Sequence, residues 1–199
     1  MMRVSTGLGA FGVFAVVMSS SLPSLAADLG ASPVPRAPVF TTDGASRFEI
    51  RGGVFAHDPW SPEQGSADLN LEALSPRLFT TGSSWDVLIP RAHVGGTINF
   101  NGKTSHGYAG LTWTYDVTQQ IFVEASFGGA VHNGKTDRIV PVNHNALGCS
   151  PLFRESASIG YRFNQAWSVM ASVEHLSNAG LCSNNRGLTN AGVRLGYSF

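Results

Sequence analysis

Hydrophobic and polar residues alternate along most of this chain. From Arg47 onward the sequence repeats one unit, about ten residues of period-two hydrophobicity followed by a turn rich in Gly, Asn, Asp, Ser or Pro. Eight such stretches predict eight strands, each with an apolar face. The first carries Phe48, Ile50, Val54 and Ala56; the second Leu69, Leu71 and Ala73; the third Ala92, Val94, Ile98 and Phe100. Ala109, Leu111, Trp113 and Tyr115 follow, then Ile121, Val123, Ala125, Phe127 and Val131. The last three faces are Phe153, Ala157, Ile159, Tyr161 and Phe163; Trp167, Val169, Ala171 and Val173; and Ala191, Val193, Leu195, Tyr197 and Phe199.

The opposite faces hold Arg47, Glu49, Arg51, Asp68, Glu72, Glu124, Arg154, Arg162, Glu174 and Arg194, five basic and five acidic side chains. A balanced set of this kind suits a narrow, filled interior in which ion pairs compensate one another. A soluble sandwich or lipocalin would have the reverse polarity, apolar inside and charged outside. Here the apolar faces require a solvent of their own, and lipid supplies it. The predicted fold is all-β, an eight-stranded antiparallel outer-membrane β-barrel over residues 46–199.

An even strand number and a periplasmic C-terminus fix the sidedness of the connections. Asp116 to Gln120 and Asn164 to Ala166 are expected to face the periplasm. His57 to Ser66, Asn101 to His106, Asn133 to Pro151 and Ala179 to Gly187 are expected to face outward. Leu195, Tyr197 and the terminal Phe199 resemble the C-terminal signature by which outer-membrane barrels are recognised for assembly.

The N-terminal residues have a different layout. Arg3 precedes an apolar stretch from Gly7 to Met18, and Pro23, Ser24 and Ala26 close it, which predicts a secretory signal peptide over residues 1–26. Residues 27–45, with Pro33, Pro35 and Pro38, read as a Pro-rich tether without chemistry. Export also explains a compositional mismatch. The 199 residues hold 13 basic and 13 acidic side chains, so charged residues make up only 13%, about half the share usual in soluble proteins. Mean hydropathy is nevertheless +0.03. Lipid-facing strands account for the missing charge. A formal charge of zero argues against a nucleic-acid partner.

Both cysteines fall in outward loops, Cys149 in the long one and Cys182 in the last, where an oxidising route allows a disulfide. Metal ligation is the competing reading, weakened by the absence of a CxxC or nearby histidine spacing. His57, His93, His106, His132 and His144 have no metal-ligand spacing either, and loop or interior hydrogen-bonding roles suffice for them. No metal or cofactor is expected.

Candidate chemistry lies at the end of the seventh strand. His175 and Ser177 are two residues apart, so on a strand their side chains share a face with Cα atoms about 6.6 Å apart, within reach of an imidazole–hydroxyl contact. They continue the lipid-facing row of Val169, Ala171 and Val173. Glu174 points inward, toward an interior ion pair with an arginine. A His-x-Ser pair alone is common and fits an interfacial histidine beside a loop serine.

The longer string His175-Leu176-Ser177-Asn178-Ala179-Gly180, followed by an outward loop and a final strand, resembles the PagL-type lipid A 3-O-deacylases. The close resemblance runs from about Glu174 to Phe199. It implies an esterase that removes the acyl chain ester-linked at the 3 position of lipid A in the outer leaflet. Ser177 would be the nucleophile, His175 the general base, and Asn178 with N–H groups toward Gly180 the oxyanion stabilisers. The family places a histidine-orienting glutamate fourteen residues after that histidine, and Thr189 occupies the position here. If Phe163 pairs with Trp167, Glu155 lies opposite His175, so Glu155 is a second candidate to hold the ring, with a solvated interfacial carboxylate as its alternative. A non-catalytic small barrel used in adhesion or envelope stability shares the signal peptide, strands and terminal Phe199. It is the competing functional class. The expected partners are lipid A and outer-membrane lipid, and a homodimer is left open.

Overall fold

The computed structural model describes residues 44–199. The predicted signal peptide lies outside the described residues, as does the tether apart from its last two positions. Those two begin a 3-10 turn, Gly44–Ser46, in which Ala45 is wholly buried.

Eight antiparallel strands close into a barrel in which every strand pairs with its chain neighbours and β1 pairs with β8. They are β1 (Glu49–His57), β2 (Ser66–Arg77), β3 (Arg91–Asn99), β4 (His106–Asp116), β5 (Ile121–His132), β6 (Leu152–Arg162), β7 (Trp167–Ser177) and β8 (Leu188–Ser198). At 9 to 12 residues, each strand has the length a tilted strand needs to span a bilayer. Period-two sequence becomes period-two burial: along β7 exposed and buried positions alternate with few exceptions. Ile50, Val54, Leu69, Leu71, Val94, Ile98, Ile159 and Val193 are all exposed. Residues of this kind facing bulk water would be a liability; facing hydrocarbon they are at rest.

The interior is polar and ion-paired. Arg51 bonds Glu124 at 2.7 Å and Glu49 at 2.9 Å, Arg91 bonds Glu49 at 2.8 Å, and Arg154 bonds Glu174 at 2.7 Å. The Arg154 guanidinium also lies 3.7 Å from the centroid of the Tyr108 ring. Glu174 faces inward as its strand parity requires. Arg91, the first residue of β3, adds a buried charge to the ten expected from the sequence. Arg47 and Arg162 sit at the mouth; Arg162 pairs with Asp116 at 2.7 Å. The β2–β3 connection is longer than the other turns at that end and contains a second 3-10 helix, Ser84–Leu88.

Aromatic side chains gather at the end that carries the chain terminus. Phe48 stacks on Phe199 at 6.3 Å, Trp167 lies 4.8 Å from Tyr197, and Tyr161 meets Phe163 edge-on at 5.6 Å. Such a belt fits a membrane–water interface, where a ring buries its body and wets its edge. At the opposite end the loops form a crown. Cys149 and Cys182 are disulfide-bonded across a separation of 33 residues, a closure that loop entropy values at about 3–4 kcal/mol. The bond ties the β5–β6 loop to the β7–β8 loop.

Candidate active site

His175 stands on the outward face of β7 with strands on both sides. Its cross-strand partners are Glu155 on β6 and Thr189 on β8. The β6–β7 register follows the expected turn, in which the Phe163 N–H donates to the Trp167 carbonyl at 2.9 Å. Glu155 therefore lies opposite His175 as anticipated. The hydrogen bond, however, forms on the other side: His175 Nδ1 meets Thr189 Oγ1 at 2.8 Å. Among the described residues Glu155 makes no hydrogen bond or ion pair. Adjacency is set by the ladder; contact is set by side-chain conformation. The short threonine hydroxyl meets the ring directly, leaving Glu155 as the half-buried interfacial carboxylate of the alternative reading.

Gly187 supplies a contact that the sequence did not reveal. A Cβ there would stand 2.8 Å from His175 Cε1 and 3.3 Å from Nε2. The backbone also adopts φ +72°, which side-chain-bearing residues avoid. Gly187 thus lets the last loop lie flat against one edge of the imidazole while Thr189 holds the other.

Ser177 ends β7, pairs with Phe153, and shares the exposed face of His175. No hydrogen bond joins the two side chains. The turn after Ser177 is tightly built. Asn178 is buried, with its Nδ2 donating to the carbonyls of Leu147, at 2.9 Å, and Asn184. Its Oδ1 accepts the Gly180 N–H at 2.9 Å, and its own N–H goes to Asn185 Oδ1 at 2.9 Å. Asn178 and Gly180 therefore meet, but their donors are spent on each other and on the loops. Between them, Ala179 adopts φ 52° and its N–H has no partner among the described residues.

Beside Ser177 runs an apolar groove of about 340 Å³, lined by Phe127, Pro151, Leu152, Phe153, Leu181 and the disulfide among others. Phe127 and Phe153 stack at 5.9 Å on its lipid-facing side. The other histidines stand apart from this site. His57 is buried between Asp68 at 2.7 Å and Glu63 at 3.0 Å. His93 bonds Thr112, and His132 bonds the Cys149 carbonyl. Among the described residues no group of His, Cys, Asp and Glu is arranged to hold a metal ion.

The chain was compared with known proteins. No curated protein matches it. Among solved structures, the outer-membrane enzyme PagL shares 19% identity with a TM-score of 0.55, over 74% of this chain and 97% of that one. The N-terminal β-barrel domain of Pseudomonas aeruginosa OprF shares 12% identity with a TM-score of 0.51, over 77% of this chain and 98% of that one. A de novo designed transmembrane β-barrel shares 13% identity at a TM-score of 0.50, over 77% and 96%. At these identities the likenesses establish the barrel alone. The sequence model of lipid A 3-O-deacylase (PagL) goes further, matching residues 66–198 and so spanning β2 to β8. With that match over a closed eight-stranded barrel, the chain is an integral outer-membrane protein and belongs to the PagL family of lipid A 3-O-deacylases.

Proposed function

We propose that this barrel hydrolyses the ester-linked 3-position acyl chain of lipid A from the outer leaflet, with Ser177 as nucleophile and His175 as general base. The observation that carries the assignment is the Thr189 Oγ1 contact on His175 Nδ1. A hydroxyl can accept as well as donate; in the tautomer whose Nδ1–H donates to Thr189 Oγ1, Nε2 is the basic nitrogen, as a serine esterase requires. Nε2 takes the Ser177 proton as Oγ attacks the ester carbonyl, then returns it to the departing sugar oxygen. Water next attacks the acyl-enzyme by the same route, releasing the fatty acid and regenerating Ser177. A hydroxyl orients the neutral ring but stabilises the imidazolium less than a carboxylate would.

The donor available to the oxyanion is the Ala179 N–H. Asn178 and Gly180 build the turn that presents it, at a backbone cost of about 1 kcal/mol for a non-glycine residue with positive φ. The groove beside Ser177 is apolar and faces the hydrocarbon, which suits an acyl chain already resident in the leaflet. The substrate thus needs no transfer into water to reach the catalytic groups.

Lipid A mass spectrometry on cells expressing the wild type or Ser177→Ala tests the assignment. Loss of one ester-linked hydroxyacyl chain with the wild type alone supports it. Identical spectra from the two would instead favour a non-catalytic barrel.

A further inference from the structure

The two contacts that hold His175 both come from the entry into β8, and that entry is itself held from the far side of the sequence. Asp58, in the loop after β1, is almost wholly buried. Its Oδ1 accepts the Thr189 N–H at 3.0 Å, and its own N–H donates to Asn190 Oδ1 at 3.1 Å. Its Oδ2 accepts from Asn145 Nδ2 and from the Ser61 hydroxyl. Asn145, completely buried in the β5–β6 loop, also donates from Nδ2 to the Gly187 carbonyl at 3.0 Å. The segment 187–190 is therefore gripped at a carbonyl, an N–H and a side chain, all through Asp58 or the asparagine bonded to it.

A buried carboxylate is costly unless its oxygens are satisfied, and a cation is the usual partner. Among the described residues Asp58 has none; its partners are two neutral side chains and a peptide N–H. A hydrophobic or amide side chain would close this crown at lower cost. What a carboxylate supplies is two strong acceptors in a fixed plane, aimed at two elements simultaneously. One oxygen fixes the peptide bearing Thr189. The other fixes Asn145, and through it the glycine that lies on the imidazole edge.

We infer that Asp58 is a positioning residue for the deacylation reaction, setting the placement and tautomer of His175 through Thr189 and Gly187 without touching either His175 or substrate. This rests on His175 and Ser177 forming the catalytic pair. Among the described residues no carboxylate bonds His175 directly, and Asp58 stands one peptide behind the threonine that does. The arrangement also gives the crown loops a catalytic consequence, because loops after β1 and β5 meet at the segment that orients the ring.

The test uses the full barrel in lipid A-containing vesicles, with Asp58→Ala, Thr189→Val and the double variant. Asp58→Ala is expected to lower kcat by roughly 10- to 100-fold with KM changed less than about twofold, because the groove is untouched. Thr189→Val should lose a similar amount, and the double variant should be no slower than the slower single one. Independently of turnover, the ¹⁵N signals of His175 should report mainly the Nδ1–H tautomer in the wild type and a mixture in Asp58→Ala. If Asp58→Ala does not yield a folded barrel, judged by heat-dependent gel mobility, Asn145→Ala removes the hold on Gly187 together with the bonds to Asp58 and Ser61 and should show the smaller loss of the same sign. Wild-type kcat and an unchanged His175 spectrum would overturn the inference, as would losses that multiply in the double variant. Failure of the Ser177 assignment is recognised separately, by full activity of Ser177→Ala.

Discussion

Replacing Gly187 with alanine should disable the site while leaving the barrel intact, and the size of the effect follows from two distances. The added Cβ would meet His175 Cε1 at 2.8 Å and the Leu176 carbonyl oxygen at 3.2 Å. Comfortable carbon–carbon contact begins at about 3.5 Å, so the ring must retreat by roughly 0.7 Å. A shift of that size takes Nδ1 out of its 2.8 Å contact geometry with Thr189 Oγ1, and hydrogen bonds weaken steeply away from good distance and angle. Misplacement of a catalytic group by about 1 Å typically costs about 100-fold in rate. A further 1 kcal/mol or so of local stability is lost to the positive φ. Gly102→Ala is the matched control: its φ is +75° and its Cβ would meet nothing within 4 Å. It carries the backbone penalty without the clash. The assay is the initial rate of release of the 3-position acyl chain from vesicle-embedded lipid A. A Gly187→Ala enzyme within threefold of wild type, or one no worse than Gly102→Ala, would refute the packing argument.

Glu155→Gln should leave the deacylation rate within about threefold of wild type, since Glu155 is opposite His175 but unbonded to it; a drop of 100-fold would return the orienting role to Glu155. Thr189→Glu, which puts a carboxylate on the imidazole, should raise kcat by about tenfold, and a slower variant would mean that the hydroxyl is not standing in for a charge. Burial alone would raise the pKa of Glu63, but bonds from His57, Thr104 and the Asn145 N–H outweigh it and hold the carboxyl at about 2, from an ordinary 4.5. Its contribution to crown stability is therefore complete above about pH 4.5 and is lost as pH falls toward 2. Hydrogen exchange of the loop amides in Glu63→Gln should show no such acid step; persistence of the step would assign it elsewhere.

The barrel was legible because lipid demands a simple rule, apolar outward and polar inward at alternate residues, and the eight strands follow it closely enough to show through exceptions such as the buried Phe55 and Leu176 and the outward Glu155 and His175. Register at the site was also readable. The three-residue turn between Phe163 and Trp167 fixes where Glu155 falls. What could not be read was which neighbour of His175 is bonded to it, because the ladder places Glu155 on one side and Thr189 on the other and leaves the choice to side-chain conformation. Asn178 illustrates a second limit. Its place in the string suggested an oxyanion donor, whereas its amide is committed to carbonyls of two loops, one of them 31 residues away in sequence. Gly187 and Asp58 carried no local signal at all. A loop glycine and a turn aspartate look ordinary until the closure of β1 on β8 brings the crown onto the edge of β7.

In the proposed mechanism Ser177 is an activated nucleophile because Thr189 holds His175 with Nε2 as the basic nitrogen. This activation is tested most directly by intact-protein mass spectrometry of the folded barrel after exposure to an alkyl fluorophosphonate. A single covalent adduct located on Ser177 is expected, formed at least tenfold more slowly in Thr189→Val and absent in His175→Ala. An adduct on another residue, or labelling of Ser177 at equal rates in all three proteins, would contradict it.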